Sequence, residues 1–372
     1  MKNKVFTAVF ALLLAGISVL TFALPKKEFS ANENRYLAAF PKLSFAAVKN
    51  GSFMSGISKY IADHFVLRDG WVTLKSLTET ALLKTENNGV FRGKDGYLID
   101  SFDADAAAGF DKNLEAVRTF SQTVKETFGI DVYTLIAPTA ATVLQEKLPP
   151  FAPTADGAAL LRKAESLPGF VNVYAALSAH KEEYIYYRTD HHWTALGAYL
   201  AYREYMTAAG REPEELEAFR LEEVSADFCG TTYSRFGRFF GVKPDTLSAP
   251  AAELFTDTAV TNGKGETHAS VYYPELLDGK DKYLYFLGGN DGVFSVGTPT
   301  RNGRTLLLIK DSYANSFLPY LCGGFERILV LDPRYYKDSV FSLAERENIT
   351  DILILYNLKS FSEDRYLSLL NV

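Results

Sequence analysis

The segment Asp190-His191-His192-Trp193 contains the acid and the base that acyl transfer by a serine requires. In this chemistry a base removes the proton of the serine hydroxyl, and an acid partner fixes the tautomer of the base and steadies its positive charge. Because Asp190 and His192 are two residues apart after an apolar segment, both can project from one short loop. We therefore predict a catalytic Asp190–His192 pair. Trp193 is expected to pack beneath the loop, and His191 to face away from the serine and pack or contact solvent.

Ser312 is the predicted nucleophile because it follows the apolar run Leu306–Ile309 and stands where a helix can begin. Backbone N–H groups at such a position, including that of Ser312 itself, can stabilise an oxyanion. Two side-chain amides are candidates for a second oxyanion donor. Asn357 follows another apolar run, and Asn290 lies in a Gly-Gly-Asn-Asp segment. The order of the strands favours Asn357.

Three further residues are candidates for substrate binding. Arg188, Tyr233 and Arg235 could bind sugar hydroxyls or the carboxylate of a uronate. The alternative for each residue is an ordinary surface charge or a core aromatic ring.

Two adjacent histidines beside an aspartate also raise the alternatives of a metal site and of an Asp-His-His phosphoesterase. The other histidines, His64, His180 and His268, lie in unrelated contexts, and the acidic blocks of that phosphoesterase class are missing. We therefore expect no metal and no cofactor.

The C-terminal third predicts the sheet that must position these residues. Leu306–Ile309, Arg327–Leu331 and Ile352–Leu355 are apolar runs without alternation, as in parallel strands covered on both faces. Upstream, Asn113–Phe128 has helical spacing and leads into a strand at Val132–Ile136. The pattern predicts an α/β fold, in which ligands bind beyond the carboxyl ends of the strands.

The middle of the chain is less regular. Tyr184–Tyr187 is predicted to be a strand that leads into the Asp-His-His-Trp segment, and Thr194–Ala209 a helix. Residues 212–302 contain β-like runs at Ser270–Tyr273 and Tyr283–Phe286 between Gly and Pro turns. We interpret residues 212–302 as a β-rich insertion that carries part of the binding surface.

The N-terminus predicts a membrane segment, since the uninterrupted apolar run Val5–Leu24 is about 30 Å long as a helix. The run is longer than a usual signal core and lacks a clear cleavage site, which favours an uncleaved anchor over a signal peptide. We expect residues 1–25 to be a transmembrane signal anchor, residues 26–50 a juxtamembrane linker, and residues 51–372 the domain. The domain is expected outside the cytoplasm, at the cell membrane or, if the segment is cleaved, secreted.

Charge and cysteine content exclude some alternatives. The formal net charge of −6 provides no basic field for nucleic acid. Cys229 and Cys322 are too few for a disulfide scaffold, and either a single bridge or two free thiols fits the sequence.

Asp190-His191-His192-Trp193, followed downstream by Lys310-Asp311-Ser312-Tyr313, resembles the DHHW family. That family is similar to the SGNH-hydrolase-like O-acetyltransferases that acetylate alginate and other extracellular polysaccharides. Further matches are Glu33-Asn34-Arg35-Tyr36-Leu37 with Phe40-Pro41, Gly93-Lys94-Asp95-Gly96-Tyr97-Leu98, and Phe228-Cys229-Gly230.

The resemblance implies an SGNH-hydrolase-like, flavodoxin-like parallel sheet with helices on both faces. It implies a Ser-His-Asp triad of Ser312, His192 and Asp190, with a circular permutation because Asp190 and His192 precede Ser312. Lys310 departs from the Gly-Asp/Thr-Ser block of the related acetyltransferases, where a glycine is common, so the turn before Ser312 is expected to be less tight.

The predicted function is O-acetylation of a cell-surface or secreted polysaccharide, with a membrane-bound O-acyltransferase as supplier of the acyl group. Two alternatives stay open at this stage. The same site would make a carbohydrate acetylesterase if water were the acceptor, and the same fold without turnover would make a glycan- or envelope-binding protein.

Overall fold

The computed structural model describes residues 2–30, 32, 35–237 and 242–371, so Glu33 and Asn34 of the first motif lie outside the described residues. The chain forms two compact units. One contains residues 1–88 and 233–242, and the other contains residues 89–232 and 243–372. The expected boundary between linker and domain, at residue 50, falls inside the first unit.

The first unit is helical apart from short strands. Its apolar N-terminal helix is long enough to cross a membrane. The elements are α1 (Lys2–Ala23), β1 (Phe29–Ser30), β2 (Arg35–Tyr36), α2 (Phe45–Lys49), α3 (Ser52–Asp63), α4 (Arg68–Ala81) and β3 (Glu86–Asn87).

The second unit contains the strands and helices predicted from the apolar runs. Its elements up to the irregular middle of the chain are β4 (Val90–Arg92), β5 (Leu98–Asp100), α5 (Ala104–Ala107), α6 (Phe110–Phe128), β6 (Val132–Ala137), α7 (Ala140–Val143), α8 (Gly157–Ala164), β7 (Phe170–Val171), α9 (Tyr174–Ala179) and α10 (Ala195–Ala208). They are followed by α11 (Leu216–Phe219), β8 (Leu221–Phe228), the start of α12 (Thr231–Phe236), β9 (Asp245–Pro250), β10 (Ala259–Thr261), β11 (Thr267–His268) and β12 (Val293–Gly297). The residues of α12 from Tyr233 onward belong to the first unit. The last are β13 (Thr305–Lys310), α13 (Tyr313–Leu321), β14 (Arg327–Leu331), α14 (Val340–Arg346), β15 (Asp351–Asn357) and α15 (Leu358–Glu363).

An eight-stranded sheet organises the second unit, in the order β11-β10-β12-β14-β13-β15-β6-β7. The five strands from β14 to β7 are parallel, and β12, β10 and β11 extend the sheet with antiparallel pairing. The predicted α/β fold with a parallel sheet is therefore confirmed. The carboxyl ends of β13 and β15 are neighbours, which brings Ser312 and Asn357 to the same edge.

The central strand β13 explains why its sequence does not alternate. Leu306 and Leu308 belong to the hydrophobic core on one face of the sheet, and Leu307 and Ile309 to the core on the other face. Phe317 of α13 packs into the first core, and helices α6, α14 and α15 contribute to the second. Helices thus cover both faces, as predicted.

The irregular middle of the chain differs from the prediction in detail. Two of the expected β-like runs are not strands: Lys282–Tyr285 forms a 3-10 helix, and residues 270–273 contribute only an isolated bridge from Tyr272 to Phe286. Their aromatic residues pack in the core, with the Tyr272 and Tyr285 rings stacked at 4.6 Å, rather than alternating across a sheet. Within residues 212–302, β8 and β9 form a separate antiparallel pair.

The predicted strand Tyr184–Tyr187 is likewise absent as a strand. Its backbone instead forms an isolated antiparallel bridge between Tyr186 and Trp193, which closes a tight loop around residues 187–192. Cys229 and Cys322 are free thiols.

The close approach of Gly169 to β6 generates a prediction about stability. Gly169 has φ of +71°, and a Cβ there would lie 2.4 Å from the carbonyl oxygen of Val132. Gly129 has the same φ region, φ of +72°, with open space around it. We expect Gly129→Ala to cost about 1 kcal/mol of unfolding free energy, and Gly169→Ala at least about twice that because backbone must move. Urea unfolding of both full-length variants in detergent measures the difference, and equal losses would contradict the expectation.

Candidate active site

His192 connects Asp190 and Ser312 through its two ring nitrogens. Its Nδ1 lies 2.5 Å from Oδ1 of Asp190, and its Nε2 lies 2.7 Å from Oγ of Ser312. Asp190 and His192 are buried, whereas Ser312 is partly exposed. The three residues named from the sequence are therefore joined in one hydrogen-bonded chain that ends at an accessible hydroxyl.

The Asp190 carboxylate is held by a second set of donors. Its Oδ1 also accepts the backbone N–H of His192 at 3.0 Å, and its Oδ2 accepts the backbone N–H and the hydroxyl of Thr231 at 2.6 and 2.9 Å. Burial opposes ionisation, but the adjacent His192 and His191 and the Thr231 N–H outweigh it and hold the pKa of Asp190 well below its usual range. Asp190 is therefore a fixed negative charge beside His192.

Asp245, the first residue of β9, anchors the loop that carries this pair. Its Oδ1 accepts the backbone N–H of Arg188 at 3.0 Å and the hydroxyl of Tyr184. Its Oδ2 accepts the backbone N–H and the hydroxyl of Thr189 at 2.7 and 2.6 Å. Asp245 is buried, so these bonds replace the water that its carboxylate would otherwise need.

Trp193 joins the loop to the helix that begins after Ser312. Its indole N–H lies 3.1 Å from both the carbonyl oxygen of Tyr313 and Oγ of Ser316, and its ring is fully buried. The Tyr313 hydroxyl in turn donates to the carbonyl oxygen of His191. The segments that carry His192 and Ser312 are thus joined by hydrogen bonds donated in both directions.

Tyr283 covers the face of the His192 ring. The two rings stack with centroids 3.9 Å apart and planes inclined by 10°. The Tyr283 hydroxyl donates toward Oγ of Ser316 at 3.0 Å and the carbonyl oxygen of Ser312 at 3.2 Å. Burial raises the pKa of Tyr283 well above its usual range, so this hydroxyl stays a neutral donor. The ring restricts rotation of His192.

The turn before Ser312 is stabilised by Asp311. Its carboxylate accepts the backbone N–H of Tyr313 at 2.9 Å and that of Asn357 at 2.8 Å, and so bridges the ends of β13 and β15. Burial raises the pKa of Asp311, although the two N–H groups partly offset this effect. Ser312 itself has helical backbone angles and directly precedes α13.

Lys310, the last residue of β13, is anchored by two amide side chains. Its side chain is fully buried, and its ammonium group donates to Oδ1 of Asn290 at 2.6 Å and Oδ1 of Asn315 at 2.8 Å. Burial lowers the pKa of Lys310 to about 8, against the opposing charge of Asp332. Lys310 therefore ties the Gly-Gly-Asn-Asp segment to α13.

Both predicted oxyanion donors have their amide oxygen engaged. Oδ1 of Asn357 accepts the backbone N–H of Lys359 at 3.0 Å, and its Nδ2 lies 3.5 Å from the carbonyl oxygen of Ala137. Oδ1 of Asn290 accepts from Lys310. Among the described residues no hydrogen bond joins either amide to Ser312, so their role as oxyanion donors stays a prediction. Asn357 lines a depression that Asp190 also lines.

His191 is more closely involved in the site than the sequence predicts. Its ring packs against His192 with centroids 3.9 Å apart, and its Nδ1 lies 2.6 Å from Oγ1 of Thr231. The Thr231 hydroxyl uses its proton to donate to Asp190, so its oxygen accepts the hydrogen bond from Nδ1 of His191. Burial, together with the adjacent His192, lowers the pKa of His191 to about 4. His191 is therefore neutral at neutral pH and supports the Asp190 network.

The candidate substrate residues lie in different units. Arg188, in the second unit, is half-exposed and sits over the rings of Tyr184 and Tyr97, at 4.6 and 5.5 Å from their centroids. Tyr233 and Arg235 belong to the first unit, as part of residues 233–242. Their proposed contacts with substrate stay predictions.

Asp190, His191 and His192 also offer ligand atoms within 4.8 Å of one another, which is close enough for a metal ion. Both Asp190 oxygens and both His192 nitrogens are already engaged in the hydrogen bonds described above. A metal would have to break the link to Ser312 or to Thr231, so the present donor geometry fits proton transfer better than metal binding.

Four residues of the site were not identified from the sequence. Thr231 and Gly230 lie at the Phe-Cys-Gly motif, which gave a signal but no role. Asp245 gave no signal, and Tyr283 was predicted only as part of the β-like run Tyr283–Phe286. A Cβ on Gly230 would come within 2.1 Å of Oδ2 of Asp190, so only glycine leaves room for that carboxylate.

Comparisons with known proteins place these features in context. A family model described as DHHW protein matches residues 111–331, a range that contains both Asp190–Trp193 and Ser312. No curated protein matches the chain.

Three solved structures are similar. A DHHW family protein from Eubacterium siraeum DSM 15702 is 27% identical, with a TM-score of 0.63 over 77% of this chain and 96% of that chain. PatB1 of Bacillus cereus, with a sulfonyl adduct, is 20% identical, with a TM-score of 0.60 over 74% of this chain and 99% of that chain. The O-acetyltransferase domain of Pseudomonas putida AlgJ is 18% identical, with a TM-score of 0.46 over 74% of this chain and 93% of that chain.

The space at Gly230 generates a prediction about the reactivity of Ser312. Gly230→Ala should displace the Asp190 carboxylate, and misplacement of this kind lowers rates by about 10²-fold. We expect labelling of Ser312 by an aryl sulfonyl fluoride to slow by that order. Gly210→Ala, at a left-handed glycine with open space around it, is the matched control and should label at the wild-type rate. Unchanged labelling of a folded Gly230→Ala variant would contradict the role of this space.

The lowered pKa of His191 predicts how the free energy of unfolding depends on pH. Its pKa of about 4 in the folded protein is lower than the value of about 6.5 expected in the unfolded chain. Between these values only the unfolded chain binds the proton, so unfolding free energy should fall as pH drops from about 6.5 to about 4, by at most about 1.4 kcal/mol per pH unit. Unfolding free energies of wild type and His191→Gln are measured with denaturant across this pH range. The difference between the two pH profiles isolates the contribution of His191, since the contributions of the other titratable groups are common to both proteins. Parallel pH profiles for the two proteins would contradict it.

Proposed function

Because the chain belongs to the DHHW family, we propose that it is a serine acyl-transfer enzyme that O-acetylates a polysaccharide outside the cytoplasm. The observation that carries the proposal is the position of His192 between Asp190 at 2.5 Å and Ser312 at 2.7 Å. This geometry supports Ser312 as the nucleophile, His192 as a base within reach of its proton, and Asp190 as the acid that orients the base.

The first half-reaction would form an acyl-enzyme. Nε2 of His192 removes the proton of Ser312 as Oγ attacks the carbonyl carbon of the acyl donor. Asp190 stabilises the resulting imidazolium, and the N–H of Ser312 with the amide of Asn357 or Asn290 stabilises the oxyanion. His192 then gives the proton to the leaving group as its bond to the carbonyl carbon breaks.

The second half-reaction would transfer the acyl group. His192 removes the proton of an acceptor hydroxyl, whose oxygen attacks the Ser312 ester. When the new ester forms, Ser312 leaves and recovers its proton from His192. A sugar hydroxyl as acceptor gives a transferase, and water gives an esterase. We propose the transferase, on the resemblance of the Asp-His-His-Trp and Asp-Ser blocks to those of polysaccharide O-acetyltransferases, with a membrane-bound O-acyltransferase supplying the acyl group.

The apolar N-terminal helix supports an external acceptor. The apolar helix α1 is long enough to cross a membrane. We propose that α1 is an uncleaved signal anchor, which holds the catalytic unit on the outer side, where cell-surface polysaccharide is within reach.

Substitution of the nucleophile tests the proposal. We expect Ser312→Ala to lose acetyl transfer from an aryl acetate to an oligosaccharide, and general-base assistance alone accounts for about 10²–10⁴ of that loss. Ser225→Ala, at a partly exposed serine of β8, should behave as wild type. The measurement is mass spectrometry of the oligosaccharide and of the acyl-enzyme, with the full-length protein in detergent.

Each outcome of this assay has a distinct meaning. An acetylated oligosaccharide supports the transferase, whereas free acetate alone, lost in Ser312→Ala, would make the protein an esterase. Equal turnover by wild type and Ser312→Ala would rule out Ser312 as nucleophile. An aryl sulfonyl fluoride provides an independent probe, since PatB1 of Bacillus cereus was solved with a sulfonyl adduct.

A further inference from the structure

The last turn of α1 packs against the corner between α3 and α4, within the first unit. Thr21 is almost fully buried there, and its Oγ1 accepts the backbone N–H of Val66 at 3.3 Å. The Lys26 ammonium donates to the Thr21 carbonyl oxygen. By contrast, almost all of the apolar face of α1 before this turn is exposed. The corner therefore lies at the end of the helix that is predicted to leave the membrane.

A stripe of exposed apolar residues begins at this corner. Leu67 directly precedes the first turn of α4, and Trp71 and Leu74 are three residues apart and therefore lie on one face of that helix. Their exposed fractions are 78%, 47% and 53%. The Trp71 indole N–H donates to the carbonyl oxygen of Val66 at 3.1 Å, which fixes the ring beside the corner. We call Leu67, Trp71 and Leu74 the α4 stripe.

The segment before this corner, residues 37–62, also exposes apolar side chains and in addition is positively charged. Residues 37–62 carry three lysines and no acidic residue. Several large apolar side chains in this segment are more than half exposed, namely Phe40, Leu43, Phe45, Val48 and Met54. Apolar side chains left in water forgo the free energy of burial, and clustered exposure of this extent marks a binding surface.

We propose that the α4 stripe lies in the head-group region of the membrane that α1 crosses. The inference rests on the proposed membrane anchor. Three observations select a bilayer as the occupant: the stripe starts where α1 ends, it contains a tryptophan, a residue enriched at membrane interfaces, and the adjoining lysines complement anionic lipid. The stripe would thereby fix the rotation of the first unit on the membrane surface.

The tryptophan content of the chain allows a direct test. The chain has two tryptophans, and Trp193 is fully buried, so Trp71 is the one that lipid could reach. The full-length protein is reconstituted in phosphatidylcholine–phosphatidylglycerol vesicles with or without dibrominated acyl chains, which quench tryptophan on contact. We expect brominated lipid to remove the Trp71 share of the wild-type emission and to leave the emission of Trp71→Phe unchanged.

A second variant guards against a local effect of the substitution. Leu67→Trp in the Trp71→Phe background places the fluorophore one turn earlier on the stripe, and quenching should return. Carbonate extraction separates failure of the inference from failure of the proposed anchor. A protein that resists extraction, but whose emission is unquenched both in the wild type and in this double variant, would overturn the inference alone and leave the stripe to a protein partner. A protein that carbonate releases would overturn both.

Discussion

The carboxylate of Asp190 is the interaction on which the candidate site depends. One oxygen orients His192, two residues away, and the other accepts from Thr231, 41 residues away in the chain. Through His192 the same charge reaches Ser312, a further 120 residues along. A buried carboxylate is stable only when its oxygens are satisfied, so the segments that supply these donors must meet before the site exists. Asp245 repeats this arrangement on the residues just before Asp190, since it accepts the backbone N–H groups of residues 188 and 189.

The parallel sheet supplies the rigid side of the site. Ser312 and Asn357 follow adjacent strands, and Asp311 accepts an N–H from each strand end. The loop of residues 187–192, which carries His192, is not supported by strands of this sheet. It is held by an isolated bridge, by Trp193 and by the stacked ring of Tyr283. Ser312, the candidate nucleophile, is thus positioned by regular secondary structure, and His192, the candidate base, by tertiary contacts. That division explains why a permuted order of acid, base and nucleophile along the chain is compatible with the geometry, since geometry and not order defines such a site.

The sequence was informative wherever the physical signal is local. The apolar runs around Leu306, Ile328 and Ile352 are strands because both faces are covered, and the polar residues at their ends lie at one edge. The predicted strands that begin at Tyr184 and Tyr283 were wrong. Their aromatic residues have the composition typical of strands, but they pack in the core from segments without regular strand structure. Asp245 gave no signal because its partners, the backbone N–H groups of residues 188 and 189 and the hydroxyls of Tyr184 and Thr189, lie more than 50 residues away and leave no local pattern in the chain. Lys310 suggested a looser turn because its buried amide partners cannot be identified from the sequence around it.

Gly230 shows how the space for the acid is bounded. The main chain of Gly230 faces Asp190, and it lies so close that a methyl group on Gly230 would overlap the Asp190 carboxylate. Serine hydrolases with a Ser-His-acid triad use glutamate as well as aspartate as the acid. Here the extra methylene of an Asp190→Glu exchange would meet a main chain that is itself held by Thr189 and Asp190. The length of the acid is therefore set by a residue that has no side chain, and remodelling of the acid in this fold has to begin with the path of the backbone at residue 230.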